Sequence, residues 1–418
     1  LALILAFGDC LLLNTGYGRV SREVLGYFAS KGHKVIQLAW NYTLPRMDVP
    51  NIKQTRFTDS NGIEQIKMEQ QGVITLVPVH TQDQFGTGSI ITYINGFKPD
   101  FVYNSNDYFT MKPLLEQRSI WTHSPTTIDY GIIDGPECAR NYADIISAID
   151  KPVVPSQYGF KQIVKYNKNS VYIPHGVDTQ IYKPMDVKEQ VKKELGLQDR
   201  FVYGCVNRNI LRKMFPLLIR SFAELKYEQH LNDISLLLLT DPHDPAGHGL
   251  EHWLKFYGLT YNQKLGEPAD VKFHPAYLNV LMNLSDDELA RAYNGFDVMV
   301  TTSLSEGFGL STIESQSCGI PVIACDHTAN TELIKGHGWL YSTAKNCDGS
   351  PVIIPPNIPL NWITYGYEMI DTAALKIAML DAYQHSNKIK EFGKRAREFA
   401  LDYSWEKILP NWSKVIPD

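Results

Sequence analysis

Residues 296–326 read FDVMVTTSLSEGFGLSTIESQSCGIPVIACD and contain one complete unit of an α/β chain. FDVMVTTS is an apolar, β-branched run of strand length. STIESQSCG is a short helix closed by glycine, and PVIACD is a second strand after a Gly-Ile-Pro break. Two strands joined through a helix form a parallel crossover, so the loop SEGFGL falls at the carboxyl edge of a sheet, where open α/β sheets bind ligands. The loop carries Glu306 ahead of a Gly-Phe-Gly turn, and Glu314 follows early on the helix, where its charge suits the macrodipole. The N–H groups of residues 309 to 312 are expected to point into the space between the two carboxylates, an anion site flanked by hydrogen-bond acceptors. The competing reading is a solvated turn.

The same alternation of apolar runs and amphipathic segments extends to both ends of the 418-residue chain, a length that predicts two domains. LALILAF leads through NTGYGR to a helix with Val20, Val24, Leu25 and Phe28 on one face. Gly32 closes that helix and KVIQLAW resumes as a strand. GVITLVPV, DFVYNS, SIWTHS and AIDKPVVPS read as further strands of a first sheet. VYIPHGVDTQIYKP (171–184) has no period of either kind and reads as a connection. A second series follows, FVYGCVN, SLLLLTD, DVKFHP, FDVMVTT and PVIACD, with LSDDELARAYNGF between them opening on a Ser285–Glu288 capping box.

Net charge is −5, which argues against nucleic-acid binding. The apolar start, LALILAFGDCLLL, lacks a basic flank and is broken by Gly8-Asp9. It reads as a buried first strand of a chain whose start has been trimmed, and not as a signal peptide. Six cysteines form no Cys-x-x-Cys pair, which predicts a reducing, cytoplasmic setting and no metal site.

Other candidate site residues stand beside the opening loop. Gly16 and Gly18 occupy the first strand-to-helix turn, where glycines allow backbone amides to approach an anion or simply make a tight turn. A dinucleotide fingerprint would need glycine at Ser21 and an acid ending the second strand, and QLAWN supplies none. Arg208 and Lys213 in NRNILRK follow the first strand of the second series; they suit a diphosphate, or form a solvated basic turn. His123 sits at the end of the run SIWTHS, as ligand or as packed histidine, and His175 lines a cleft or caps a turn. A phosphate between two hydroxyl-bearing groups is the shape of a nucleotide-sugar.

These residues resemble the retaining glycosyltransferases of family 4, which have the GT-B fold. The resemblance rests on the E-x₇-E pattern of EGFGLSTIESQSCGIPVIA and on the Arg-x₄-Lys turn of NRNILRK. GHKV (32–35), IPHGVD (173–178) and YSWEKI (403–408) stand in family order. It implies two Rossmann-like doubly wound domains facing each other across a deep cleft. Residues 1–178 would bind acceptor, 179–400 would bind donor, and 401–418 would form a helical segment returning to the first domain. It also implies roles. Glu306 would hold hexose hydroxyls, Glu314 the ribose, and Arg208 and Lys213 the diphosphate, with the turn Gly307, Phe308, Gly309 and Leu310 adding amides. His123 would contact the sugar, and Gly16 and Gly18 would close over the donor.

The implied reaction is a metal-independent, cofactor-free, front-face transfer of a hexose to a glycan or glycoprotein hydroxyl. Asp241 and Asp244, after SLLLLT, favour a guanine base and so GDP-mannose; UDP-glucose or UDP-N-acetylglucosamine donors are the alternative. A non-catalytic nucleotide-sugar-binding module remains the rival from another class. The stretch YGFKQIVKYNK (158–168) touches a membrane surface or is a solvated helix. Three departures from the family stand out: His175 where asparagine is usual, Met214 where glycine is common, and SQSCG in place of an alanine-rich helix.

Overall fold

The computed structural model describes residues 1–58, 64–80, 82–135, 137–275, 284–354 and 366–417, with side chains outside 49–71. The chain divides into two compact units. The first comprises Leu1–Ile133, Cys138–Gly176 and Trp405–Asp418; the second comprises Asp134–Glu137 and Val177–Ser404.

The first unit holds an eight-stranded sheet. Its strands are β1 (Leu3–Asp9), β2 (Lys34–Trp40), β3 (Met47–Thr58), β4 (Glu64–Pro78), β5 (Phe101–Asn104), β6 (Thr126–Tyr130), β7 (Lys151–Val154) and β8 (Val171–Tyr172). Their order is β3-β4-β2-β1-β5-β6-β7-β8, parallel except for the β3–β4 pair. The sequence alone predicted only the end of β4 and nothing of β3. After β1 the helix Gly16–Ser30 buries Val20, Val24, Leu25 and Phe28. Its end is a Schellman closure: Gly32 N–H donates to Ala29 C=O and His33 N–H to Phe28 C=O.

SIWTHS is not a strand. Arg118–Ile120 is a single 3₁₀ turn, and the strand begins at Thr126, beyond Pro125. TTIDY, richer in β-branched side chains, takes the place in the sheet. Residues Trp405–Asp418 pack in this unit through Trp412, which is fully buried against Phe28, Tyr103 and Tyr130. The adjoining Gly176 lies so close under the Trp405 indole that an added Cβ would stand 2.4 Å from it.

Asp129, the penultimate residue of β6, is fully buried, with Oδ1 accepting from Asn104 Nδ2 at 2.6 Å. Burial pushes its carboxyl well above the ordinary range, against the smaller opposing effect of Asn104. A raised folded-state pKa contributes stability that is complete below the unfolded pKa and lost as pH rises toward the folded one. Asp129→Asn should therefore gain on the wild type by about 1.4 kcal/mol per pH unit above roughly pH 4. Parallel stability–pH curves in urea titrations would refute this.

The second unit holds a fully parallel sheet of β9 (Phe201–Val206), β10 (Ile234–Leu239), β11 (Tyr261–Asn262), β12 (Val271–Phe273), β13 (Val298–Val300), β14 (Val322–Cys325) and β15 (Trp339–Tyr341). Its order, β11-β12-β10-β9-β13-β14-β15, reverses between β9 and β13. Such a reversal opens a crevice outside the strand carboxyl ends. The helix Asp286–Tyr293 starts on the full capping box: Glu288 N–H donates to Ser285 Oγ, and Ser285 N–H donates to Glu288 Oε2. All six cysteines are free thiols, and only Cys347 is exposed. Among the described residues no helix is long and apolar enough to cross a membrane.

Candidate active site

The β9 and β13 loops of the second unit meet at this reversal point. Leu304 N–H donates to Arg212 C=O at 2.9 Å, Thr302 Oγ1 donates to Lys213 C=O at 2.9 Å, and Arg212 Nη1 donates to Ser305 C=O at 2.7 Å. The two loops are thus zipped together, and Lys213 Nζ donates to Glu306 Oε1. Both side chains of that pair are 10% exposed. Arg212 adds a second cation, with Nη1 3.7 Å from Glu306 Oε2 and Nε 3.4 Å from Asp134 Oδ2. Burial alone would raise the Glu306 carboxyl, but Lys213 and Arg212 overcome it and hold the group down at about 2. Glu306 is a carboxylate throughout the physiological range.

Met214 follows in the left-handed region, at φ 48° and ψ 41°, directly ahead of the helix Phe215–Glu228. That is a conformation glycine adopts freely, so the methionine keeps the loop path and bears the strain.

Downstream, Gly309 at φ 105° turns the chain into the helix Leu310–Ser317. The N–H of Thr312 is engaged by Gly309 C=O, so the expected amide set shortens to residues 309–311, for which no acceptor lies among the described residues. Glu314 is buried on this helix and accepts from Tyr293 OH at 2.9 Å. The Phe308 ring belongs to the hydrophobic core beside Tyr403 and is not a ligand group. Its expected share in the donor site reduces to its backbone.

Arg208 is not part of the Lys213–Glu306 cluster. Its Nε and Nη2 donate to the two oxygens of fully buried Asp244 at 2.6 and 3.3 Å, while half of its side chain stays exposed. Asp244 also accepts from Ala246 N–H, so it is tied up within its own loop. Asp241 accepts from His243 N–H at 2.8 Å, just past the carboxyl end of β10.

Three expectations for the first unit change. His123 lies ahead of β6, on the amino edge of the sheet, with Nε2 2.8 Å from Pro99 C=O. It therefore stands at the edge opposite to the one that binds ligands. Gly18 N–H is taken by Thr15 Oγ1 at 3.0 Å, and a Cβ there would sit 2.5 Å from Leu13 C=O; close packing requires this glycine. Gly16 begins the helix. His175 is buried, with Nδ1 2.8 Å from Tyr130 OH, and burial lowers it to about 3, so the ring is neutral.

Two residues of the cluster escaped the sequence reading. Arg212 lies inside the Arg-x₄-Lys turn but off its two marked positions. Asp134 follows the true strand β6 as Glu306 follows β13, an acid in a glycine-flanked loop. Assigning the strand to SIWTHS moved the apparent carboxyl edge to His123 and hid Asp134.

Residues 186–346 match the family model for glycosyl transferases group 1. The D-inositol 3-phosphate glycosyltransferase of Kineococcus radiotolerans is 27% identical over 253 residues, covering 59% of this chain and 52% of the relative. The Rhodococcus opacus protein of the same name is 31% identical over 202 residues, covering 46% and 42%. The chain thus spans about half the length of these curated relatives. Sucrose-phosphate synthase from Thermosynechococcus elongatus superposes with a TM-score of 0.69 at 16% identity, covering 99% of this chain and 98% of that one. Anabaena HepE, solved in complex with UDP-glucose, gives 0.68 at 14% identity, covering 100% and 99%. Two Rossmann-like units of this kind define the GT-B fold. The chain has this fold, and residues 186–346 of its second unit match the group 1 glycosyl transferase domain.

Proposed function

We propose that the chain is a retaining hexosyltransferase of family 4, moving a hexose from a nucleoside-diphosphate sugar to an acceptor hydroxyl. The observation that carries this reading is the buried Lys213–Glu306 pair, backed by Arg212, at the switch point of the second sheet. Breaking a glycosyl–phosphate bond builds an oxocarbenium-like sugar and a charged leaving group. Preorganised cations beside the leaving oxygen are then the largest available lever.

Lys213 and the exposed half of Arg208 take the diphosphate, with the amides of Gly309 and Leu310. Glu306 holds hexose hydroxyls and Glu314 lies toward the ribose. The bond from the sugar C1 to phosphate breaks with its electron pair passing to the diphosphate. The acceptor oxygen bonds to C1 on the same face, and its proton passes to the departing phosphate oxygen. No metal or cofactor takes part in this reading, and the first unit is assigned the acceptor.

The capture of Asp244 by Arg208 leaves Asp241 as the one acid for a guanine base. A UDP-hexose donor therefore comes first, in keeping with the ligand of HepE, and GDP-mannose second. The acceptor is a glycan or glycoprotein hydroxyl, with an inositol phosphate as the variant suggested by the relatives' name. Calorimetry against UDP-glucose, UDP-N-acetylglucosamine and GDP-mannose, followed by nucleotide-release assays with these acceptors, tests the proposal. Binding of GDP-mannose alone would reverse the donor order. Binding without hydrolysis or transfer would make the chain a nucleotide-sugar-binding module. Liposome co-sedimentation reports whether 158–168 adds a membrane contact.

A further inference from the structure

Thr328 is a buried, β-branched residue at φ 55° and ψ −137°, a conformation such residues avoid. Strain of this kind persists only where the surroundings over-determine it, and it gathers at functional sites. Thr328 occupies the N-cap position of the helix Ala329–Ile334, where a threonine hydroxyl ordinarily accepts from the first turn. Here it makes no such bond. Its Oγ1 accepts instead from Glu306 N–H at 3.0 Å and donates to His327 C=O at 2.8 Å. The next residue completes a clamp, since Ala329 N–H donates to Glu306 C=O at 3.2 Å. Both polar groups of the Glu306 backbone are thereby held by one dipeptide after β14. Immediately beyond Glu306 the chain enters Gly307-Phe308-Gly309, whose glycines by themselves fix little.

We infer that Thr328 is a positioning residue that fixes the Glu306 backbone, so that the Glu306 carboxylate meets the donor sugar at one distance and angle; the role at the sugar rests on the function proposed above. A capping role predicts bonds to the Ala329–Ile334 helix, and the hydroxyl makes none there. Displacement of a substrate-holding group by about 1 Å costs roughly 10²-fold in rate. The diphosphate is assigned to Arg208, Lys213 and the amides of Gly309 and Leu310, and Lys213 keeps its own backbone hold through Thr302 Oγ1, so nucleotide affinity should change far less than kcat.

Thr328→Val keeps the shape and removes the hydroxyl, whereas Thr328→Ser keeps the hydroxyl and loses the branch. The valine variant is expected to lose roughly 10²-fold in kcat, with UDP or GDP affinity within about twofold of wild type; serine should recover most of the loss. Hydrogen exchange gives a readout apart from catalysis: the Glu306 amide should lose protection in the valine variant and keep it in serine. Unchanged kcat and unchanged Glu306 protection in Thr328→Val would overturn the inference. So would a joint loss of kcat, nucleotide affinity and thermal stability, which marks a merely structural residue. A wild type that transfers nothing would defeat the proposed function, while the amide-exchange comparison would still decide the clamp.

Discussion

Lys213→Ala is expected to lower kcat/KM by about 10²- to 10³-fold, the usual cost of removing one preorganised group from a developing negative charge. The effect should be large because the ammonium is almost fully buried and is aimed by its own backbone, with Thr302 Oγ1 donating to Lys213 C=O. The same substitution leaves Glu306 buried with Arg212 alone, at 3.7 Å. Orphaning a buried charge costs about 3 kcal/mol at the low end of the range, and Arg212 keeps the cost there. Lys213→Met combined with Glu306→Gln removes both charges and should recover most of that stability without recovering activity. Urea denaturation beside initial rates separates the two. Activity returning together with stability would mean that Lys213 only supports the fold.

The pH dependence supplies an independent check. The folded-state pKa of Glu306 is lowered to about 2, so its stabilising contribution is present above its ordinary pKa and lost only as pH falls toward 2. In the wild type no acidic limb of kcat/KM above about pH 4 belongs to Glu306. Without Lys213, burial acts against one cation instead of two, and the pKa moves up. An acidic limb should therefore appear in Lys213→Ala and be absent from the wild type. Identical limbs in both proteins would assign that titration to another group.

Local pattern carried the second unit far. The 296–326 run, the Ser285–Glu288 box and the placing of Lys213 and Glu306 in the loops after β9 and β13 all follow from strand-end placement and helix signals near in sequence; that the two side chains pair, 93 residues apart, does not. What stayed hidden depends on partners remote in the chain. Asp134 meets Arg212 through the placement of a loop that follows β6, and no periodicity encodes that meeting. Its discovery required the right strand, and SIWTHS offered an apolar run just as long as TTIDY. Asp244 looked available for a base because a sequence does not show that Arg208 already holds it. Thr328 was unremarkable as a residue type; only its backbone angles and the direction of its hydroxyl distinguish it.

Trp412→Ala is expected to destabilise the first unit by about 3–5 kcal/mol, the cost of emptying a large buried aromatic site. The indole is fully buried, with ring centroids 4.8 Å from Tyr130, 5.7 Å from Phe28 and 5.8 Å from Tyr103, each at a steep angle that favours edge-to-face contact. Phe28 comes from the first helix, Tyr103 and Tyr130 from β5 and β6. One side chain therefore joins the last residues of the chain to three early elements of the same unit. The site cannot collapse easily, because Tyr130 is fixed from the other side by its hydroxyl, which donates to Ile173 C=O and meets His175 Nδ1. The indole Nε1 has no hydrogen-bond partner among the described residues, so Trp412→Phe loses packing but no bond seen there and should cost less than half as much as alanine. Thermal unfolding should show an early transition in Trp412→Ala assigned to the first unit, with the second unit's transition unmoved. Equal costs for phenylalanine and alanine would show that the indole's size, and not the aromatic contacts, anchors the segment. A shift of both transitions would show that Trp412 stabilises more than the unit in which it is buried.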